Sequence, residues 1–351
     1  MPRFKTRQSA FRRHLIADRL AGYSLLTLTA IAVATALSFL RMPLIPFVLA
    51  VFLTYMISPL VDLFQKRFGW PRWAALALTF AITLVGVGVL AVFVLANFQT
   101  LLSSADVYQA RVMQLASDLS ILAQRYRIPI DQATVLTAFR DIPVFSTVTS
   151  AAGEIVNVLT SGFLVIVFLF FLIMGSSPTK ERHGLYADID LKIRQYLTTK
   201  LATSAATGVL VGISLGILGV DLAFMFGLLT FLLNFIPTLG AVIATLLPLP
   251  IVVLQYDSPA RWLLVLVIPA AIQGVIGNFI EPKLLSDSLD LHPASVVLAL
   301  TFWGIIWGPV GMFLAVPILV VMKIVMEHIP ATRPIAEVIA GRLPPPLRGT
   351  H

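Results

Sequence analysis

The stretch that decides the fold is residues 222–254, LAFMFGLLTFLLNFIPTLGAVIATLLPLPIVVL, in which two apolar legs flank Pro237-Thr238-Leu239-Gly240. Proline and glycine together end a helix and reverse the chain, so the pattern predicts a helical hairpin. Each leg has about 14–16 residues, or roughly 21–24 Å of helix at about 1.5 Å per residue. A full crossing of a bilayer needs about 20 residues. The stretch therefore favours a re-entrant hairpin, which enters a membrane and returns to the same side.

A second stretch repeats this design later in the chain. Residues 293–326 form two apolar legs around Gly308-Pro309-Val310-Gly311, and a long apolar segment precedes each hairpin. Leu229-Thr230-Phe231 matches Leu300-Thr301-Phe302 at an offset of 71 residues. Each repeat unit would consist of one crossing helix and one hairpin, which makes an odd number of membrane crossings. The second unit is therefore predicted to have inverted topology relative to the first, as in the inverted repeats of secondary transporters. Two pairs of short, proline-kinked spanning helices are the alternative.

The composition of the whole chain indicates a membrane protein. Of 351 residues, 58% are hydrophobic and 12% are charged, whereas an average soluble protein has about 25% charged residues. The apolar runs lack the alternation of membrane β-barrels, so we predict an all-α polytopic membrane protein. It would have about six full transmembrane helices plus the two hairpins, or about eight to ten short spans. The six runs are Gly22–Leu40, Pro43–Phe64, Trp73–Phe98, Ile155–Met174, Thr199–Gly219 and Arg261–Ile280.

The distribution of basic residues predicts the orientation. With the N-terminus inside, the inner connections hold 19 of the 25 Lys and Arg residues and the outer connections hold 6, so both termini are expected in the cytoplasm of a bacterial inner membrane. The predicted regions are a basic cytoplasmic N-terminus (1–21), three transmembrane helices (22–98), an extracytoplasmic amphipathic helical region (99–150), a transmembrane helix (151–175), a cytoplasmic loop (176–198), a transport core (199–328) with hairpins at 222–254 and 293–326, and a cytoplasmic tail (329–351).

Several classes of function lack their sequence signals here. The net charge of +8 comes from short basic runs beside apolar segments, which suits contact with the lipid bilayer rather than with nucleic acid. The chain has no cysteine, and it contains no zinc-protease, nucleophile-elbow or phosphate-loop motif. We therefore expect no enzymatic activity, no metal site and no cofactor.

Polar and turn-forming residues inside the apolar segments are the candidate substrate contacts, because polar groups are costly in lipid. Asn234 stands just before the first turn, where its amide would bind a solute or cap the backbone freed by Pro237. Backbone N–H groups at the helix starts beside the turns would donate to an oxygen-rich solute. The predicted substrate-binding residues are Asn234, Pro237, Thr238, Gly240, Gln273, Asn278, Pro309 and Gly311.

Three titratable residues are candidates for coupling to H⁺ or Na⁺. Glu281 follows the sixth run directly, Asp221 opens the first hairpin, and His292 opens the second. The alternative for Glu281 is an interfacial residue paired with Lys283, and the alternative for His292 is a residue that only marks the membrane boundary.

The fifth run carries small residues at every fourth position: Ser204, Gly208, Gly212 and Gly216. This spacing predicts a flat groove for the close approach of another helix. The groove would serve static packing, or it would let a moving unit slide.

The C-terminal half resembles the autoinducer-2 exporter (AI-2E) family of bacterial membrane proteins. The resemblance rests on residues 234–240 (NFIPTLG) with Pro248, residues 277–284 (GNFIEPKL), residues 291–293 (LHP), and residues 308–311 (GPVG) with residues 315–317 (AVP). It covers residues 200–326 well, and the first 200 residues match in layout. The resemblance implies an inner-membrane transporter, a homo-oligomer, that exports a small polar solute; some relatives look like sodium- or lithium-for-proton antiporters.

The leading hypothesis is a secondary transporter that exports such a solute, an autoinducer-2-like signalling molecule, by alternating access at the two hairpin turns. A cation/proton antiporter that uses Glu281 or Asp221 is the second hypothesis. A scaffold or assembly factor that acts through residues 99–150 or the basic termini is the third.

Overall fold

The computed structural model describes residues 31–103, 162–175, 184–285 and 290–342, with isolated residues between 24 and 29 and between 107 and 125. Within these residues every regular element is a helix, which confirms the predicted class. In chain order the helices are α1 (residues 31–39), α2 (Arg41–Phe68), α3 (Arg72–Ser103), α4 (Gly162–Gly175), α5 (Leu185–Ile217), α6 (Ala223–Leu233), α7 (Leu239–Leu246), α8 (Leu249–Gln255), α9 (Pro259–Val275), a π-turn (Ile276–Ile280), α10 (Glu281–Leu285), α11 (Pro293–His328) and α12 (Arg333–Ile339).

By length and composition five helical stretches are long and apolar enough to cross a membrane, so the protein is a multi-pass membrane protein. They are Arg41–Phe68, Arg72–Val89, Leu185–Ile217, Pro259–Leu284 and Pro293–His328. The last of the five contains the second hairpin and reverses at Gly308. The first hairpin has two shorter apolar legs: Ala223–Leu233 is α6, and Leu239–Gln255 contains α7 and α8. The predicted N-terminal region 1–21, most of 99–150, residues 151–161 and 176–183, and the end of the tail lie outside the described residues.

The helix α5 is longer than the fifth apolar run. It begins at Leu185 and continues to Ile217, so the boundary predicted between a loop and a span at 198/199 lies inside one helix. Charged residues such as Asp188 and Lys192 alternate here with buried side chains such as Ile193 and Leu197. An amphipathic pattern continues a helix without continuous hydrophobicity, so hydropathy alone places its start too late.

The first hairpin reverses between α6 and α7, at the predicted Pro-Thr-Leu-Gly turn. Thr238 takes a positive φ of 61°, and the N–H of Gly240 donates to the carbonyl of Ile236 at 3.0 Å. A Cβ on Gly240 would collide with the carbonyl of Leu233 on the opposite leg. Glycine at this position therefore lets the returning leg approach the backbone of the outgoing one.

The second hairpin, within α11, reverses at Gly308, whose backbone has φ 65° and ψ −147°. A Cβ on Gly311 would collide with the carbonyl of Trp303, and two residues so far apart in sequence touch only if the helix folds back. Gly311 thus has the same packing role as Gly240, which precedes it by the repeat offset of 71 residues. The rings of Phe235 and Phe313 stack with centroids 4.6 Å apart, so the two hairpins meet close to their turns.

The glycine groove predicted on α5 receives α6. A Cβ on Gly208 would lie 2.7 Å from the carbonyl oxygen of Gly227, and a Cβ on Gly227 would lie 2.8 Å from the Cα of Gly212. The two backbones are therefore in direct contact, and the packing prediction is confirmed. The contact joins the first hairpin to the long helix that precedes it.

The sixth run ends in a widened turn. After α9 the N–H of Glu281 donates to the carbonyl of Ile276, five residues back. Pro282 has no N–H for the carbonyl of Asn278, four residues back, so the regular ladder is interrupted here. Such π-turns are frequent at functional sites, and this one aims Glu281 toward α5.

Candidate functional site

A cavity of about 510 Å³ lies between α5, the turn of the first hairpin, α7, α9 and the π-turn. Its volume is within the range of about 300–1,000 Å³ that is usual for small-molecule sites. Six of the eleven predicted site residues line it: Asn234, Pro237, Thr238, Gln273, Asn278 and Glu281. Residues that are distant in sequence are therefore brought together by the packing of one hairpin turn against one interrupted helix.

A buried ion pair forms one end of this cavity. The Nζ of Lys200, on α5, lies 2.6 Å from Oε1 of Glu281, and the two side chains are 4% and 15% exposed. The hydroxyl of Thr203 donates to the other carboxylate oxygen at 3.4 Å. Glu281 is thus paired across the helix interface with Lys200, whereas the alternative drawn from the sequence paired it with Lys283; its coupling role stays a prediction.

Asn234 joins the hairpin to α5. Its Nδ2 donates to the hydroxyl oxygen of Ser204 at 3.2 Å, and Ser204 is fully buried. Ser204 is the first member of the small-residue series on α5, so the groove also supplies a polar partner for the turn. The Nδ2 group of Asn234 therefore donates to a neighbouring helix. The same side chain, which also carries a carbonyl oxygen, lines the cavity.

Gln273 presents an unused acceptor. Its Nε2 donates to Oγ1 of Thr245 at 2.9 Å, but its buried Oε1 has no hydrogen-bond partner among the described residues. The residue is 8% exposed and lines the cavity. A buried acceptor without a donor costs about 1–3 kcal/mol, so this oxygen is a candidate partner for a ligand that donates a hydrogen bond or carries positive charge.

The other five predicted site residues lie elsewhere. Gly240 packs against Leu233, and Gly311 packs against Trp303; Pro309, beside Gly308 in the second turn, is also outside the cavity lining. Asp221 lies at the exposed junction of α5 and α6, where its N–H donates to the side chain of Gln255. His292 caps the start of α11 by accepting from the N–H of Ala294 at 3.3 Å.

The first turn does not offer all the open N–H groups predicted for it. The N–H groups of Leu239 and Gly240 donate to the carbonyls of Pro237 and Ile236, at 2.6 and 3.0 Å. Side chains from α5, the turn, α7, α9, the π-turn and α10 therefore supply most of the polar character of the cavity. Among these, Lys200 and Thr245 belong to the lining and were not predicted from the sequence.

One pattern in the sequence indicates the missed residues on α5. Lys200, Thr203, Ser204 and Thr207 follow a spacing of three, four and seven residues within an apolar segment, and all four are at least 97% buried. That spacing places polar side chains on a single face of a helix. A polar stripe at helical spacing is thus a signal for a buried polar face, of which Lys200 lines the cavity and Ser204 bonds to Asn234.

A second buried lysine lies outside the cavity. Lys323 on α11 is 2% exposed and lies 3.1 Å from both Asp290 and Glu327, and Arg342 lies 2.6 Å from the same Asp290 oxygen. Partial burial opposes ionisation of Asp290, but the hydrogen bonds and positive charges of Lys323 and Arg342 outweigh it and hold the pKa of that carboxyl below its ordinary value. This network ties the start of the second hairpin to the end of the described chain.

The sequence matches a known family over most of its length. The family model for the AI-2E family transporter covers residues 26–331. The chain belongs to the AI-2E transporter family. Within the family it is similar to the AI-2 transport protein TqsA of Escherichia coli K12, with 29% identity over 309 residues, 85% of this chain and 89% of TqsA.

Two further relatives carry only general names. The chain is 30% identical over 310 residues to a protein of Haemophilus influenzae that is named for transport, covering 82% of this chain and 87% of the relative. It is 26% identical over 340 residues to YueF of Bacillus subtilis, covering 85% and 89%. The family and these relatives are named for transport and not for enzymatic activity.

Proposed function

We propose that this AI-2E family protein is a secondary transporter of the bacterial inner membrane that exports a small polar solute, with AI-2, the solute named for TqsA, as the first candidate. The solute would occupy the cavity at the turn of the first hairpin, and relative movement of the hairpins and their scaffold would expose it to each side in turn. Cytoplasmic termini and a homo-oligomeric scaffold are part of this proposal.

The observation that carries the proposal is the cavity beside an interrupted helix and a hairpin turn. Polar backbone inside a membrane is tolerated where it lines a cavity, and broken helices at such cavities are a common design of transporter sites. The free oxygen of Gln273 and the amide of Asn234 favour a solute with hydroxyl groups, because hydroxyls both donate and accept.

The test is solute flux from proteoliposomes of the purified chain loaded with AI-2. We expect release faster than from liposomes without protein, and we expect Gln273→Leu to raise the half-saturating concentration about fivefold, since one lost hydrogen bond contributes roughly 1 kcal/mol. Gln195→Leu is the matched control, because Gln195 is on α5, half-buried and outside the cavity lining. Equal flux with and without the wild-type protein would overturn the proposal for this solute.

A second pair of variants separates the two possible roles of Asn234. Asn234→Ala removes both its hydrogen bond to Ser204 and any contact with solute, whereas Ser204→Ala removes only the hydrogen bond. If Asn234 binds solute, Asn234→Ala reduces flux several-fold more than Ser204→Ala, with equal insertion of both variants in the membrane. Equal losses of flux in the two variants would show that Asn234 contributes only its hydrogen bond between the hairpin and α5.

Cation/proton antiport is the second candidate function, and the ion pair in the cavity favours it specifically. A carboxylate held by a lysine inside a membrane protein is a group that a proton or a cation can compete for. A pH-sensitive dye inside the same proteoliposomes would respond to external sodium or lithium if the protein exchanges them for protons. Glu281→Gln is then expected to abolish the response, and full exchange by that variant would exclude Glu281 from coupling.

A further inference from the structure

We propose that Lys200 is a tethered cation which occupies the Glu281 carboxylate in the empty cavity, and that a monovalent cation entering the cavity must displace it. The inference rests on the proposed transport role of this cavity and adds a charged ligand to it. It assigns to Lys200 the role of a competitor that sets the affinity of the site for cations.

The first step of the argument is the chemistry of the oxygens around Glu281. Oε1 of Glu281 accepts a hydrogen bond from the ammonium of Lys200, with an Nζ–Oε1 distance of 2.6 Å. Oε2 accepts from the hydroxyl of Thr203, with an oxygen–oxygen distance of 3.4 Å. The amide side chain of Asn278, three residues earlier, lines the same cavity. Carboxylate, hydroxyl and amide oxygens are the groups that hard cations bind.

The second step is the charge. Lys200 and Glu281 together carry no net charge, so one monovalent cation in place of the ammonium leaves the carboxylate as well balanced as before. A divalent cation usually needs several carboxylates, and Glu281 is the one acidic residue among the described residues that line the cavity. The site therefore fits a single positive charge.

The third step is access. Both Lys200 and Glu281 belong to the lining of the cavity, although their side chains are only 4% and 15% exposed. A ligand in the cavity meets the ion pair directly, and the long, flexible lysine stem lets the ammonium withdraw. In contrast, Lys323 has a comparable buried ion pair but lies outside this cavity.

The test uses Lys200→Met, which leaves the Glu281 carboxylate without its tethered partner. We measure the melting temperature of the purified chain in detergent while sodium, lithium or methylammonium chloride replaces choline chloride at constant ionic strength. We expect Lys200→Met to be stabilised by at least one of the small cations, with an apparent affinity at least tenfold tighter than that of wild type. Lys323→Met is the matched control for loss of a buried lysine and is expected to respond like wild type.

A single-cysteine variant separates charge from packing. The chain has no cysteine of its own, so Lys200→Cys places one thiol in the cavity. Modification by aminoethyl methanethiosulfonate restores an ammonium and should remove the cation response, whereas the methyl reagent should preserve it. Either variant is sufficient for the test if the other does not fold.

The outcomes distinguish this inference from the proposed function. Cation responses that are equal in wild type, Lys200→Met and Lys200→Cys would overturn the role of Lys200, even if wild type exports solute. A gain of cation affinity without AI-2 flux in wild type would support the role of Lys200 and refute export of AI-2. A response that survives in the double variant Lys200→Met, Glu281→Gln would place the cation elsewhere and overturn the inference.

Discussion

The ion pair between Lys200 and Glu281 leads to a quantitative prediction about stability. Glu281→Gln leaves the ammonium of Lys200, whose side chain is 4% exposed, without its counter-charge. Removal of one partner from a buried ion pair costs about 3–5 kcal/mol, whereas replacement of both partners by neutral groups is often close to neutral. Glu281 keeps 15% exposure, so we expect the lower end of the range, about 3 kcal/mol.

The assay is a double-mutant cycle in mixed micelles with choline as the only cation, so that no small cation replaces the lysine. Glu281→Gln and Lys200→Met should each lose about 3 kcal/mol of unfolding free energy, and the double variant should lose much less than their sum. Glu327→Gln is the matched control: Glu327 pairs with Lys323 but is 37% exposed, so its loss should stay below about 1 kcal/mol. Strictly additive losses in the cycle would refute the buried coupling.

Two further predictions concern packing and pH. Gly227→Val forces a side chain between the backbones of α5 and α6, so it should destabilise the protein by about 1–3 kcal/mol in thermal unfolding. Gly86→Ala is the control, because a Cβ at Gly86 meets open space, and it should leave the stability unchanged. Equal stabilities of the two variants would contradict the close contact. The pKa of Asp290 is lower when folded, so its ion pairs contribute stability above the unfolded pKa of about 3.9, and this contribution is lost as pH falls through the folded value. Asp290→Asn should therefore have a lower free energy of unfolding than wild type at pH 7, and this difference should shrink below about pH 4. A difference that stays constant with pH would show that the charge of Asp290 is not its cause.

The fold followed from the sequence wherever one local rule was sufficient. Proline and glycine mark the reversals at Pro237 and Gly308, and glycines at four-residue spacing mark the contact between α5 and α6. These features depend on steric properties of the backbone, which each residue type carries with it. The start of α5 at Leu185 was not predicted, because hydropathy reports contact with lipid and an amphipathic helix extends beyond it.

The site followed from the sequence only in part. Polar residues near the turn and in the sixth run were singled out because they are costly in lipid, and Asn234, Gln273, Asn278 and Glu281 all line the cavity. Asp221 and His292 were singled out as titratable residues at the hairpin starts, and the structure places them at helix ends away from the cavity. Cost in lipid identifies residues that need a partner, but it does not identify the partner.

The sequence by itself determined that this chain is an all-helical, multi-pass membrane protein with two hairpins, because composition and chain-reversing residues act locally. Only the tertiary structure decided that Lys200 pairs with Glu281, that Ser204 bonds to Asn234, and that the oxygen of Gln273 is left without a donor. These pairings join residues between 30 and 81 positions apart. They depend on how α5, the first hairpin and α9 pack together. No single segment of sequence specifies that packing, because it requires the three elements to be in contact.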